Sequence, residues 1–183
     1  MVYSEGSRFS FTEDVKPGEK IKLRHSAEEG NLVTFSLPRP PTFATVEAER
    51  LHRKQRLVAA FRVFSKLGLD EGIAGHLTCR DPEHPELFWV NPFGKYFGCI
   101  TIKDLLLVDH KGTVVYGTSP VNAAAFVIHS KIHEAHPEAV AACHSHSLHG
   151  KAFSSLGKEL LPLTQDACMF YNHHAVFPNF GGV

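Results

Sequence analysis

The 183-residue sequence has no excess of either charge, no long apolar run and no closely spaced pair of cysteines. Lys+Arg and Asp+Glu number 19 each, so the charge balance favours neither nucleic acid nor an anionic membrane as a partner. The first ten residues, MVYSEGSRFS, lack the apolar segment of a signal peptide, and no stretch is apolar enough to span a bilayer. We therefore expect neither secretion nor membrane insertion.

Cysteine is scarce and scattered. The four cysteines are Cys79, Cys99, Cys143 and Cys168, and none forms a C-x-x-C pair. Free thiols of this kind are typical of a reducing compartment, so we expect a cytoplasmic protein. With 43% hydrophobic residues, the chain can bury one core.

Residues 1–45 are predicted to form a polar, Pro-rich arm, and residues 46–183 a folded domain. Prolines at positions 38, 40 and 41 exclude a helix there. Thr45 is a plausible N-cap for a helix that reaches Leu67 and ends at Gly68. The predicted apolar face of this helix consists of Leu57, Ala60, Phe61, Phe64 and Leu67.

Short apolar segments separated by turns follow the first helix. Residues 73–80, 86–91, 105–109 and 113–117 are predicted strands, with a hairpin turn at 109–112. A second helix is predicted over 122–135, then a buried strand over 138–143 and a third helix from about Leu148. The predicted apolar stripe of the second helix consists of Ala124, Ile128, Ile132 and Ala135.

Histidine is abundant, with 13 residues, and the segment AVAACHSHSLHG places His144 and His146 two residues apart. On a strand, this spacing puts both side chains on one face, about 6.6 Å apart along the chain. Two imidazoles at that distance can hold one cation. Cys143 points the other way and is predicted to be a core thiol. The alternative is that exposed histidines alternate here without any function.

A second group of histidines follows the period of the second helix. His129, His133 and His136 form one stripe, of which His136 is predicted to be solvated and His129 to lie nearest the H-x-H pair. Phe88 and Trp89 are more typical of a core than of a substrate platform.

The stretches GIAGHLTCR, WVNPFGKYFGCITIKDLLLVD, AAAFVIHSKIHEAHPEAVAACHSHSLHG and LLPLTQD resemble the class II aldolase/adducin family, more closely its adducin-like branch. The resemblance runs from about Val46 to the end of the chain. It implies a three-layer α/β/α fold around a central, largely antiparallel sheet. It also implies that this chain is C-terminally incomplete.

The same resemblance implies a divalent cation, with zinc the first choice, and homotetramers with sites at the subunit interfaces. His144 and His146 correspond to two of the family's three histidine ligands. The third corresponds to a position beyond Val183, and neither His173 nor His174 matches its motif. We therefore expect the metal site to be incomplete in this chain and to bind metal weakly or not at all.

The family's catalytic residues correspond poorly to this sequence. The aldolase glutamate that transfers a proton corresponds to Ala125, which cannot do so. The residues that hold phosphate correspond to Ile73, His76, Phe93, Ala123 and Ala124, with only Gly94 kept. Cleavage of a sugar phosphate is therefore disfavoured. Gly75, Asn91 and Gly94 remain candidates for binding an anion or substrate, the glycines through backbone amides.

Two functions remain open. One is a metal-dependent lyase of the aldolase, epimerase or decarboxylase type, acting on a small oxygenated substrate, with His129 or His76 as the proton-transfer group. The other is an adducin-like domain without catalysis, which serves assembly or protein–protein interaction.

Overall fold

A computed structural model of the chain describes residues 21–22, 34–35 and 41–179. It divides into two compact units, Met1–Thr42 and Phe43–Val183. In the first unit, strands β1 (Ile21–Lys22) and β2 (Thr34–Phe35) pair antiparallel. Most of the predicted arm, including Pro38 and Pro40, lies outside the described residues, so the boundary after residue 45 stays a prediction. No helix in the described ranges is long and apolar enough to cross a membrane.

The first helix, α1 (Val46–Lys66), begins as predicted. The Thr45 hydroxyl accepts a hydrogen bond from the Ala48 amide at 3.2 Å. Gly68, with φ of +67°, follows its end, where a residue with a side chain would be strained. Phe61 is fully buried, whereas Leu67 is 65% exposed, so the predicted apolar face is right at its centre and wrong at its last residue.

Five strands form one antiparallel sheet in the order β6-β5-β4-β3-β7. Their bounds are β3 His76–Arg80, β4 Leu87–Val90, β5 Leu106–Asp109, β6 Val114–Tyr116 and β7 Ala141–His144. Three further helices are α2 (Ala123–Ala135), α3 (Leu148–Ser154) and α4 (Gln165–Cys168). The predicted strands and helices are therefore all present, most with shorter bounds, and β7 ends one residue later than predicted.

The sheet lies between α1 and α2. Alternate residues of a strand point to opposite faces. Leu77 on β3 packs in one core cluster with Phe61 of α1, and its neighbour Thr78 bonds His129 of α2. The chain is therefore an α/β/α structure with an antiparallel sheet, which confirms the predicted fold class.

Three predictions about burial are wrong, and the first is the buried strand predicted over 138–143, since no residue of β7 is buried. Among the α2 side chains that the structure describes, the buried ones are His129, Ser130 and His133, whereas Ile128 of the predicted apolar stripe is 38% exposed. Cys143 is exposed because β7 is the last strand of the described sheet, so Cys143 is not a core thiol. A strand can be apolar without being buried when it lies at a sheet edge.

Candidate functional site: a histidine cluster on one face of the sheet

The H-x-H pair lies where the chain leaves β7. His144 is the last residue of β7, and Ser147 caps α3, so His146 lies in the short link between them. The two Nε2 atoms are 2.9 Å apart. Two imidazole nitrogens on one tetrahedral zinc are separated by about 3.3 Å, given bonds of about 2.0–2.1 Å. The pair therefore fits a shared cation after a small adjustment of its side chains.

His76 lies opposite His144 in the β3–β7 pairing. Their rings are stacked, with centroids 4.6 Å apart and planes at 18°. The Nδ1 atom of His76 lies 2.9 Å from the carbonyl of Ala74, so Nδ1 donates and the lone pair is on Nε2. That Nε2 is buried and has no hydrogen-bond partner in the described part of the chain.

His129 of α2 extends the cluster. Its ring meets that of His76 edge-on, with centroids 4.4 Å apart. Its Nδ1 lies 2.6 Å from the hydroxyl of Thr78, which is also 2.9 Å from Nε2 of His133. Thr78 therefore joins the two helix histidines through one oxygen.

Arg80 sets the direction of these hydrogen bonds. Its guanidinium can only donate, and it lies 3.2 Å from Nδ1 of His133, which must accept. Neutral His133 then carries its proton on Nε2 and donates to Thr78. The hydroxyl of Thr78 can in turn donate to Nδ1 of His129, which leaves the proton of His129 on Nε2.

Burial keeps the inner histidines neutral. Burial, together with the neighbouring His76 and His133, lowers the pKa of His129 to about 3. Burial likewise lowers the pKa of both His76 and His133 to about 4. Burial also lowers the pKa of His144. At pH 7 the cluster therefore offers uncharged imidazoles, the form that binds cations.

A third protein ligand is not in place among the described residues. No three His, Cys, Asp or Glu side chains in residues 41–179 are arranged to hold a metal ion. His174 instead accepts a hydrogen bond from the Leu160 amide and contacts the Phe170 carbonyl. If the site binds a metal ion, the H-x-H pair is the part of it that lies in these residues.

A small cavity of about 200 Å³, here called the Gly75 cavity, lies in the loop region before β3. It is lined by Asp70, Gly72, Ile73, Gly75 and residues 94–97. Gly75 precedes His76, and a methyl group on Gly75 would lie 3.5 Å from the carbonyl oxygen of His144. Two of the predicted anion-binding residues, Gly75 and Gly94, thus line one cavity.

Asn91, the third predicted anion-binding residue, is not among the residues that line this cavity. Its buried amide bonds the backbone of Leu77 and Pro92 instead. Ala125 lies in the first turn of α2, one turn before His129.

Sequence reasoning missed the roles of Thr78, Arg80 and His133 in connecting the cluster. A signal was present: His76, Thr78 and Arg80 are alternate polar residues on a strand that is buried throughout. Alternation on a half-exposed strand indicates a solvated face. On a buried strand it indicates a polar network, but only the pairing of β3 between β4 and β7 shows that the strand is buried.

Comparisons with known proteins give the family. The model of the Class II Aldolase and Adducin N-terminal domain matches residues 55–183. Decarboxylase NovR of Streptomyces niveus is 44% identical over 146 residues, which cover 79% of this chain and 54% of that protein. The 4-hydroxy-3-prenylphenylpyruvate oxygenase/4-hydroxy-3-prenylbenzoate synthase of Streptomyces roseochromogenus subsp. oscitans is also 44% identical, covering 79% and 53%.

A solved structure is similar as well. L-fuculose 1-phosphate aldolase from Glaciozyma antarctica PI12 is 59% identical, with a TM-score of 0.71 over 73% of this chain and 55% of that one. The chain thus spans about half the length of the curated relatives it matches. Because the family model matches most of its length, this chain belongs to the class II aldolase/adducin family.

Proposed function

We propose that this chain carries part of the active site of a metal-dependent lyase that acts on a small oxygenated substrate. The observation that carries the proposal is the approach of Nε2 of His144 to Nε2 of His146, at 2.9 Å. Two imidazoles directed at one point suit zinc or another divalent cation. This pair would hold the cation together with a ligand from outside the described residues.

The names of the relatives point to one kind of chemistry. One similar protein is named a decarboxylase and another an aldolase. Decarboxylation and aldol cleavage both leave an electron pair on a carbon, and a carbonyl next to that carbon can accept it. The cation would supply positive charge to that carbonyl oxygen.

The histidines around the pair would orient the substrate and its protons. With its proton on Nε2, His129 is a neutral hydrogen-bond donor, which can stabilise a developing negative charge. His76 has the opposite hydrogen-bonding role. Its Nδ1 donates to the carbonyl of Ala74, so its Nε2 can only accept. Of the two histidines predicted to transfer a proton, we propose that His129 donates a hydrogen bond to the substrate through its Nε2–H and that Nε2 of His76 accepts one.

We also propose that the protein is cytoplasmic and self-associates. Its four cysteines are free, and three of them are exposed, which suits a reducing compartment. Large apolar side chains are exposed in the region that follows the H-x-H pair, including Leu148 at 65%, Leu163 at 81% and Phe177 at 83%. Exposed apolar surface of this kind is typical of an interface.

The experiment that tests the proposed site is a cobalt titration followed by absorption, with zinc content by elemental analysis. Cobalt in a site with nitrogen ligands gives visible bands that zinc lacks. We expect the chain to bind either ion weakly, and His144→Ala and His146→Ala to abolish binding. His136→Ala is the matched control, because His136 is exposed and bonds Glu138 at 3.0 Å.

Binding that survives both substitutions would overturn the proposed metal site. If neither this chain nor a C-terminally extended chain binds a cation even at millimolar concentration, the non-catalytic adducin-like alternative replaces the lyase. Analytical ultracentrifugation of the same samples reports the assembly state separately from the metal.

A further inference from the structure

Lys54 of α1 packs against aromatic residues of the sheet. Its ammonium nitrogen is 3.8 Å from the ring centroid of Trp89 and 5.4 Å from that of Tyr116. In the described part of the chain no carboxylate forms an ion pair with Lys54, and both oxygens of Asp81 accept hydrogen bonds from Arg50 instead. Cation–π contacts with β4 and β6 therefore hold this ammonium group.

Other lysines are held by carboxylates. Lys95, Lys131 and Lys151 each form an ion pair with an acidic side chain. A carboxylate accepts a hydrogen bond from the ammonium group and favours the protonated amine, which is not a nucleophile. An aromatic ring offers no comparable acceptor. Lys54 therefore differs from these three lysines in what retains its proton.

Two effects favour the neutral amine at Lys54. Burial, and next the charge of Arg50 one turn earlier on α1, lower the pKa of Lys54 against the opposing charge of Asp81. Desolvation beside a second cation is one way in which proteins make a lysine nucleophilic. Lys54 is only half-buried, and Tyr116 beside it is 54% exposed on the edge strand β6. A small reagent can therefore reach this amine from the β6 side.

The surroundings of Lys54 do not attract anions. The guanidinium group of Arg50 is paired with Asp81 and Glu83, and these two carboxylates offset the charges of Arg50 and Lys54. The ring of Tyr116 adds apolar surface on the open side. An uncharged acyl donor, such as a thioester, therefore suits this amine better than an acyl phosphate does.

We propose that Lys54 is a site of acylation by uncharged thioesters. The neutral amine attacks the carbonyl carbon of the thioester, a C–N bond forms, the C–S bond breaks, and one proton passes from the nitrogen to the departing thiolate. The resulting amide has no charge, so the attraction to the rings of Trp89 and Tyr116 is lost. The site lies on the α1 face of the sheet and does not depend on the proposed metal.

Labelling of the 183-residue chain with N,S-diacetylcysteamine, an uncharged thioester, tests the proposal. Peptide mass spectrometry gives the rate of acetylation at each lysine. We expect Lys54 to react at least about threefold faster than Lys66, an exposed lysine in the last turn of the same helix, because the fraction of neutral amine rises as the pKa falls. The preference should disappear in concentrated urea, and acetyl phosphate should show a smaller preference than the thioester.

Fluorescence reports the release of the side chain separately. Trp89 is the only tryptophan in the sequence, so we expect its emission to change in proportion to the acetylation of Lys54. Lys54→Gln removes the charge and should show the changed emission before labelling, with no further change during it. Lys66→Gln is the matched control and should behave as the unaltered chain does.

Acetylation of Lys54 that is no faster than that of Lys66 would contradict the proposal, and so would an unchanged emission of Trp89 after complete acetylation of Lys54. An equal preference with acetyl phosphate would exclude the choice of an uncharged donor. If Lys54→Gln does not fold, the rates and the emission of the unaltered chain still decide, because neither measurement needs the variant.

Discussion

The two faces of the sheet bury different kinds of residues. Towards α1 the sheet presents Leu77, Cys79 and Trp89, which join Phe61 in an apolar core. Towards α2 the same strand β3 presents His76, Thr78 and Arg80, which are equally buried. One strand thus supports a core on one side and a polar network on the other. Burial alone therefore does not distinguish a structural face from a functional one.

The α1 face should carry most of the stability. Phe61 is 0% exposed and meets the ring of Phe97 edge-on at 4.7 Å between centroids. We expect Phe61→Ala to lower the free energy of unfolding by about 3–5 kcal/mol, since it leaves a cavity. Urea unfolding measures this. Val63→Ala on the same helix is the control, because Val63 is 53% exposed and should change stability by less than about 0.5 kcal/mol.

A substitution of Asp81 tests how much the polar contacts at the edge of the α1 face contribute to stability. Burial alone raises the pKa of Asp81, but hydrogen bonds from Arg50, the Glu83 amide and Trp89 outweigh it and lower the pKa to about 2. We expect Asp81→Asn to cost about 1.5–3 kcal/mol at pH 7, through the loss of a charge-assisted hydrogen bond.

The stability that Asp81 contributes should be present above pH 3.8 and lost between pH 3.8 and about 2, because protonation there favours the unfolded chain. Acid unfolding followed by circular dichroism measures this. If Asp81→Asn unfolds over the same acid range as the unaltered chain, other carboxylates dominate the loss of stability at low pH.

A substitution of Thr78 tests the hydrogen-bonded connection between His129 and His133 on the α2 face. We expect Thr78→Val to cost about 1–3 kcal/mol, because the buried nitrogens of His129 and His133 each lose a partner. Nitrogen-15 NMR of the imidazoles should show His129 protonated on Nε2 in the unaltered chain and a mixture of tautomers in the variant. Thr78→Ser keeps the hydroxyl and should keep the single tautomer. If Thr78→Val leaves the tautomer unchanged, Arg80 does not set the direction of the network.

His133 gives the α2 face a pH dependence in a higher range than that of Asp81 on the α1 face. Burial, with the charge of Arg80, lowers its pKa from 6.5 to about 4. Between these values the unfolded chain binds a proton that the folded chain does not, so stability is full above pH 6.5 and falls as the pH drops. We expect His133→Gln to reduce the slope of the free energy of unfolding against pH by about 1.4 kcal/mol per pH unit.

The slope is measured by urea unfolding from pH 7 to pH 4.5, with a chelator present so that no cation contributes. A slope that does not change in His133→Gln would mean that His133 is already protonated in the folded state.

The elements and the family were predictable because their signals are local. Thr45 caps α1 with its own side chain, and Gly68 ends the helix with its own backbone, so neighbouring residues suffice for the prediction. The H-x-H spacing likewise lies within three residues. The buried side of α2 was not predictable in this way. Its apolar residues and its histidines both recur at helical spacing, and periodicity does not say which set faces the sheet.

The sequence by itself determined the order of strands and helices, the ends of α1 and the H-x-H spacing of His144 and His146. Each of these depends on residues close in the chain. Only the tertiary structure decided that β3 lies between β4 and β7, which buries its polar residues and brings His76 against His144. Strand pairing joins residues 68 positions apart in the chain, His76 with His144, and no local pattern records which strands become neighbours. The same pairing exposes Cys143, since β7 has no further neighbour among the described strands.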